Sequence, residues 1–183
     1  MNIKQYYILI ILIVTITGCT PIISKHPIGE AEDSKDHQYL KGNWQGGDEC
    51  YFVSLSDNGG LILAYPEFDD KNDKFVVHNT KGHISKFEGT KYLNLQVEED
   101  VHDVDGIGYF ILEIHKMDDD NIILWGPDKN KLEELSKNEK YMDKIKYEAD
   151  CLYIAIPPNE LAKINKENNF FDYKEPFPFK KLK

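Results

Sequence analysis

Alternating apolar and polar residues along the middle of the chain predict a series of β-strands. Within 50–56, Tyr51, Val53 and Leu55 fall on one face, and 91–98 alternates with the same period of two. Apolar runs bounded by Asn, Asp and Gly clusters indicate further strands, at 61–65, 75–78, 82–87, 107–117 and 121–125. Short strands in such close succession are typical of an antiparallel meander.

The last third of the chain changes its period. Leu132 and Leu135 give 128–141 a narrow apolar stripe, which predicts a short amphipathic helix. Pro158 suits the first turn of a second helix that ends near residue 168. Two more strands are indicated between these helices, at 144–148 and 151–156.

Together these patterns predict a mainly β fold. We expect one domain, 39–183, in which an antiparallel meander of about eight or nine strands forms a small barrel or sandwich. Two short helices lie in its C-terminal third. The preceding residues, 19–38, mix Pro, Ser, Lys and acids without periodicity, which predicts a flexible tether.

The N-terminus has the layout of a secretory signal peptide. Lys4 is followed by an almost unbroken apolar run over 6–16, and then by Thr17, Gly18 and Cys19. The run is shorter than the roughly 20 apolar residues that span a bilayer, but it has the length of the apolar region of a signal peptide. We therefore predict that residues 1–18 are a signal peptide.

Ile16-Thr17-Gly18-Cys19 resembles the lipobox of bacterial lipoproteins. The resemblance implies cleavage before Cys19, a diacylglycerol on its sulfur and acylation of the new amino terminus, so that the lipid bilayer is a partner of the chain. It also implies a lipid-anchored place in the bacterial cell envelope. That place is the outer membrane facing the periplasm in a Gram-negative cell, or the outer face of the cell membrane in a Gram-positive one.

Charge narrows the range of partners. The chain has 183 residues with 32 Asp and Glu against 22 basic residues, every one of them Lys, which gives a net charge of −10. Removal of residues 1–18 takes away one Lys and no acid, so the net charge falls to −11. An acidic chain without Arg cannot neutralise a run of phosphates, which excludes nucleic acid as a partner.

Two cysteines remain once Cys19 carries lipid. Cys50 and Cys151 form an even pair in an exported protein, which favours a disulfide that closes a loop of roughly 100 residues. The alternative is two thiols that pack as small apolar residues.

Motifs for catalysis or metal binding are not found in the sequence. It contains no nucleophile elbow, no zinc-protease motif, no P-loop and no dinucleotide fingerprint, so we expect neither an enzyme nor a cofactor. The acidic segment 98–106 fails the EF-hand pattern, because Val101 and Leu112 stand at the first and twelfth positions. We expect that segment to be a solvated loop, and we assign no metal site.

Gly42-Asn43-Trp44 resembles the start of lipocalin-like barrels. In that family the Trp closes one end of the barrel and packs against a basic residue near the last strand. The resemblance implies a barrel that binds a small apolar ligand. The alternative is a Trp that plugs the end of any small β fold.

Aromatic residues are concentrated near the C-terminus. Phe177 and Phe179, each beside a proline, either pack along the domain or form an anchor for a partner. With the acidic charge and the absence of catalytic motifs, we predict a membrane-anchored lipoprotein with a non-enzymatic, protein-binding role of the accessory or immunity and inhibitor type. Its partner is expected to be basic, and the lipocalin-like binding of a small apolar ligand is the alternative function.

Overall fold

The computed structural model describes residues 21–56, 60–70, 72–97, 108–148 and 151–183. Within these ranges the helices are a 3₁₀ helix (Ser34–Leu40), α1 (Lys129–Ser136) and α2 (Pro158–Asn168). The strands are β1 (Ile22–Ser24), β2 (Glu30–Ala31), β3 (Gly42–Gly46), β4 (Glu49–Leu55), β5 (Leu61–Asp69), β6 (Lys74–Phe87), β7 (Thr90–Val97), β8 (Gly108–Met117), β9 (Asn121–Trp125), β10 (Ile145–Glu148), β11 (Cys151–Ile154) and β12 (Phe177–Lys181).

Eight of the strands form a closed antiparallel barrel. Strands β3 to β9 pair in chain order, and β12 then pairs with β9 on one side and with β3 on the other. This ring confirms the predicted mainly β fold and the antiparallel meander, and it is a barrel rather than a sandwich. Closure gives every strand of the ring a partner on both sides, although residues 74–81 of β6 pair, within the described ranges, with β5 alone.

One face of every barrel strand points into the interior. In β4, Tyr51, Val53 and Leu55 point inward while Cys50 and Phe52 point outward, as the alternation predicts. Apolar side chains from most of the ring fill the interior, among them Trp44, Leu61, Ile84, Leu95, Phe110, Leu112 and Leu124.

Strand β6 belongs to two pairings, and Gly82 is the residue at which they meet. Residues 74–82 of β6 pair with β5, and residues 82–87 pair with β7. A Cβ at Gly82 would lie 2.5 Å from the carbonyl oxygen of Asn94, which no side chain tolerates. Glycine at this position therefore allows the close approach of β6 to β7.

A second layer covers the outside of β7 and β8. In it β1 pairs with β8 and runs parallel to β11, which in turn pairs with β10. Helices α1 and α2 complete the layer. Leu132, Leu161 and Ile164 pack with Tyr92 and Ile111 of the outer barrel face. The chain thus has two apolar cores, one inside the barrel and one between the barrel and this layer.

Both α-helices begin where the sequence predicts them. Asp128 caps α1, because its carboxylate accepts hydrogen bonds from the backbone N–H groups of Asn130 at 2.9 Å and of Lys131 at 3.3 Å. Pro158 is the first residue of α2, and the helix ends at Asn169, whose φ of 49° is left-handed. The two short helices of the C-terminal third are confirmed.

No helix in the described ranges has the length and apolar character needed to span a membrane.

Residues 21–38, predicted to belong to a flexible tether, lie within the fold instead. Ile22–Ser24 form β1, and Ile28 is fully buried against the outside of the barrel. The backbone N–H of Ile28 donates to Oδ1 of Asn94 at 2.8 Å, and the hydroxyl of Ser85 donates to the Ile28 carbonyl. The tether prediction is wrong because the isoleucines of this segment are spaced without a period among polar residues, so the sequence pattern does not indicate their burial.

The disulfide predicted between Cys50 and Cys151 is not formed. Cys50 is exposed on the outer face of β4, whereas Cys151 is fully buried in β11. Strand β4 pairs with β3 and β5, and β11 pairs with β1 and β10 on another side of the molecule. A disulfide needs Cα atoms within about 7 Å of each other, so strands placed in this way cannot be bridged. Cys151 packs as a small apolar residue, as the alternative proposed.

Phe177 and Phe179 are half-buried and pack against the apolar core of the barrel. They lie on one face of β12, and the ring of Phe179 is 5.5 Å from that of Tyr51 in an edge-to-face contact. The alternative, in which the aromatic tail packs along the domain, is what the structure shows. Spacing by two residues on a strand puts both rings on the same face, and closure of the barrel turns that face inward.

Removal of β12 should abolish the fold. Truncation after Pro176 takes away the strand that joins β9 to β3, together with two aromatic side chains of the core. We expect the truncated protein to lose its cooperative thermal transition in circular dichroism. Removal of Lys183 alone, whose side chain is 87% exposed, should leave the transition in place. A cooperative transition in the longer truncation would contradict the role of β12.

The buried amide of Asn94 should stabilise the N-terminal segment measurably. Asn94→Ala leaves the backbone N–H of Ile28 without its acceptor, which costs about 1–3 kcal/mol of unfolding free energy. Chemical denaturation measures the difference. Asn79→Ala, on the exposed outer face of β6, is the control and should change stability by less than about 0.5 kcal/mol. Equal stabilities of the two variants would contradict the proposed anchoring.

Candidate functional site

One end of the barrel is closed around Trp44. Its side chain is 1% exposed, and its indole N–H donates to the carbonyl of Leu40 in the 3₁₀ helix at 2.7 Å. The ammonium of Lys181 in β12 lies 5.5 Å from the centre of the Trp44 ring and donates to the carbonyl of Tyr39. Trp44 thus has a basic neighbour on the final strand of the barrel, and the pair links the 3₁₀ helix, β3 and β12.

The Trp44–Lys181 contact should contribute to stability rather than to binding. Lys181→Met keeps the aliphatic stem but removes the cation and its hydrogen bond. We expect a loss of about 1–2 kcal/mol in unfolding free energy by chemical denaturation. Lys180→Met, on the outward face of the same strand, is the matched control and should have no comparable effect. Equal effects of both variants would show that the ammonium of Lys181 is not a specific contact.

The barrel interior becomes polar towards the β3–β4 and β5–β6 turns, beginning at Tyr51, which lies directly across from Trp44 in the register of β3 and β4. Strands β4, β5 and β6 place Glu49, Tyr51, Tyr65, Glu67 and His78 there, and these five residues are named the rim cluster. They share the inward face because they occupy alternate positions of their strands. The β3–β4 and β5–β6 turns lie at this end, and the 3₁₀ helix lies at the other.

Contacts inside the rim cluster join carboxylates to aromatic rings. The hydroxyl of Tyr51 donates to Glu49 Oε2 at 2.7 Å, and the rings of Tyr51 and Tyr65 are 6.0 Å apart. His78 stacks on Tyr65 at 5.2 Å, and its Nε2 lies 3.1 Å from Glu67 Oε2. The side chains of Glu67 and His78 keep about a fifth of their surface exposed, so the cluster can be reached from solvent.

Burial sets the ionisation of the rim cluster. Desolvation, followed by the nearby Glu67 and Glu49 carboxylates, raises the pKa of Tyr65. Desolvation together with the hydrogen bond to Glu49 raises the pKa of Tyr51 as well. Burial also raises the pKa of Glu67, although His78 acts in the opposite direction. Both tyrosines are therefore neutral, and the hydroxyl of Tyr65 has no hydrogen-bond partner among the described residues.

The outer surface of the same strands carries a row of exposed apolar side chains. Phe52, Pro66, Phe68, Phe75 and Val77 form this row, which is named the aromatic face. Exposure reaches 72% for Phe75, 61% for Val77, 50% for Phe52 and 44% for Phe68. Cross-strand register brings Phe68 opposite Phe75, with ring centres 5.1 Å apart, and Pro66 opposite Val77.

Acidic residues adjoin the aromatic face at the turn between β5 and β6. Asp69, Asp70 and Asp73 lie in or next to this turn, and Asp70 and Asp73 are exposed. Asp69 accepts hydrogen bonds from the backbone and the side chain of Asn72, which orders the turn. The tip of the β5–β6 hairpin therefore combines exposed aromatic rings with three carboxylates and with the exposed Lys74, which lies opposite Asp69.

Sequence reasoning missed both the rim cluster and the aromatic face. The pattern held a usable signal for the face, because Phe52 stands out of phase with Tyr51, Val53 and Leu55. No comparable signal existed for the rim cluster, whose members come together only when β4, β5 and β6 pair. Among the sites that the sequence did suggest, Cys19 and the acidic segment 98–106 lie outside the described residues.

Comparisons with known proteins add no assignment. In the ranges that the structure describes, no group of three or more His, Cys, Asp or Glu side chains is placed to hold a metal ion. No family model matches the sequence, and no curated protein or solved structure matches it either.

Proposed function

We propose that the protein is a lipid-anchored, exported lipoprotein that binds a protein partner through the aromatic face. The partner presents apolar side chains with basic residues beside them, and the role is non-enzymatic, of the accessory or inhibitor type. The exposure of three phenylalanines on adjacent barrel strands is the observation that carries the proposal.

Exposed phenylalanines in a row are unusual on a domain that has a complete core. Single exposed apolar residues are common, whereas contiguous apolar patches mark interaction sites. Phe68 and Phe75 contact each other, and Pro66 and Val77 form the next outward-facing pair along the same strands, so these four side chains form one surface rather than isolated points. Buried aromatic anchors supply most of the binding energy in protein interfaces.

Charge around the aromatic face supports a basic partner. Asp70 and Asp73 are exposed at the tip of the hairpin, and the whole chain has a net charge of −10. Complementary charge at the edge of an interface accelerates association and suppresses wrong partners, but it contributes little to affinity by itself. Under this proposal the rings provide affinity and the carboxylates provide selectivity.

The lipid anchor belongs to the same proposal. The lipobox-like Ile16-Thr17-Gly18-Cys19 supports acylation of Cys19, which would hold the barrel on a membrane of the bacterial cell envelope. Mass spectrometry of the protein extracted from the envelope tests this part directly. An acylated Cys19 at the amino terminus is expected, and an intact N-terminal segment would overturn it.

A small apolar ligand is the second candidate, because a closed barrel with Trp44 at one end supports it. Around Trp44, however, the interior is filled by Leu40, Val53, Leu61 and Ile84. Native mass spectrometry of the extracted protein would detect a co-purifying lipid or other small molecule. A stoichiometric apolar ligand would favour this candidate over the protein partner.

Substitution on the aromatic face tests the binding proposal. Phe75→Ser should lower capture of a specific partner from envelope extract by about tenfold or more, since it removes an anchor ring. Thermal stability should be unchanged, because the side chain is 72% exposed. Tyr147→Ser is the matched control, since Tyr147 is a 54% exposed aromatic residue on β10, away from the face. Binding should also weaken at high salt.

Equal capture by Phe75→Ser and by the unsubstituted protein would overturn the assignment of the aromatic face. Equal loss in Phe75→Ser and Tyr147→Ser would show adhesion through any exposed aromatic side chain rather than a defined interface.

A further inference from the structure

The hydroxyl of Tyr65 is a buried polar group that the described chain leaves unused. Tyr65 is 3% exposed and faces the barrel interior, with its ring packed between His78 and Tyr51. Its hydroxyl oxygen has no hydrogen-bond partner in the described residues. An unpaired buried hydroxyl destabilises the fold, so a group from outside is expected to satisfy it.

Negative charge is concentrated around this hydroxyl. Glu67 and Glu49 both act on Tyr65, and Asp69 and Glu49 add to the negative field at Glu67. Opposing them from β6 is His78, whose Nε2 lies 3.1 Å from Glu67 Oε2. Burial disfavours the charged form of Glu67, and it therefore raises the pKa of this carboxyl group in spite of His78. A cation beside Glu67 would relieve that cost.

We propose that the rim cluster binds a primary ammonium group. The ammonium nitrogen donates to the Tyr65 hydroxyl oxygen and to a carboxylate oxygen of Glu67. The ligand is an alkylamine: either a free one or the lysine side chain of a protein.

The chemistry of the cluster favours ammonium over other ligands. An apolar ligand would leave the Tyr65 hydroxyl without a partner and would bring no positive charge to Glu67 and Glu49. Guanidinium is best held by a carboxylate with both oxygens available, whereas one oxygen of Glu67 already faces His78. An ammonium has three donors on one compact atom, donates single hydrogen bonds to separate acceptors, and is attracted to the faces of aromatic rings.

The rim cluster is distinct from the aromatic face, although both lie on β4, β5 and β6. One faces the barrel interior and the other faces outward, because alternate residues of a strand point in opposite directions. Binding of an amine therefore does not depend on the proposed function, and each site can be removed without the other. Phe75→Ser should leave amine binding unchanged.

Titration of the full-length protein with n-butylammonium, a mimic of the lysine side chain, tests the proposal. Saturable shifts of the Tyr51 and Tyr65 ring signals in NMR spectra are expected, with none from n-butanol, which has the same chain and no charge. Glu67→Gln should weaken binding at least tenfold and Tyr65→Phe by several-fold. Glu88→Gln and Tyr147→Phe, both on the exposed surface, are the matched controls and should bind normally.

Several results would overturn the proposal. Equal shifts with n-butanol would show an apolar pocket, and no saturable shift would show that water alone satisfies Tyr65. Equal weakening in Glu67→Gln and Glu88→Gln would show attraction to overall charge. Where a rim variant fails to fold, the comparison of n-butylammonium with n-butanol on the unsubstituted protein decides by itself.

A second titration identifies the source of the amine. Acetyl-Gly-Lys-Gly-amide carries the same ammonium on a peptide. Binding tighter than that of n-butylammonium supports a lysine side chain of a protein, and equal or weaker binding supports a free alkylamine.

Discussion

Closure of the ring by β12 is the constraint on which the rest of the structure depends. The strand pairs with β9 and with β3, and its pairing with β3 joins two segments that are about 135 residues apart in the chain. One face of β12 also serves both ends of the interior. Lys181 meets Trp44 at the closed end, while Phe179 contacts Tyr51 of the rim cluster. Loss of this one strand would therefore remove the edge pairing and disturb both ends at once.

The two ends of the barrel interior differ in chemistry because they differ in what covers them. The 3₁₀ helix lies over the end at Trp44, and its Leu40 carbonyl takes the indole N–H, so apolar packing is complete there. At the other end the strands β4, β5 and β6 finish in tight turns, and side chains near those turns meet solvent. Because solvent reaches these positions, carboxylates are tolerated there, and the inward-facing residues are glutamates rather than leucines.

Local pattern was sufficient for the strands and helices but not for their assembly. The alternation of Tyr51, Val53 and Leu55 gave the inward face of β4, and Pro158 gave the start of α2. The sequence pattern fits a barrel and a sandwich equally well, because only the pairing of β12 with β3 distinguishes the two folds. The buried position of Ile28 depends on Asn94, far away in the chain, and the unpaired hydroxyl of Tyr65 depends on three strands together. Such features arise from contacts that no short window of sequence contains.

If Cys19 carries a lipid, as proposed, the position of β1 would determine which side of the molecule faces the membrane. Pro21 is already fixed to the fold, since its carbonyl accepts a hydrogen bond from the backbone N–H of Leu152, and only Thr20 separates it from Cys19. Such a segment reaches about 7 Å at most. A lipid on Cys19 would therefore hold the β8 side of the barrel against the bilayer. In a ring of eight strands β4 lies four positions from β8 in either direction. The anchored barrel would have a fixed orientation, with Phe52 on the side turned away from the lipid.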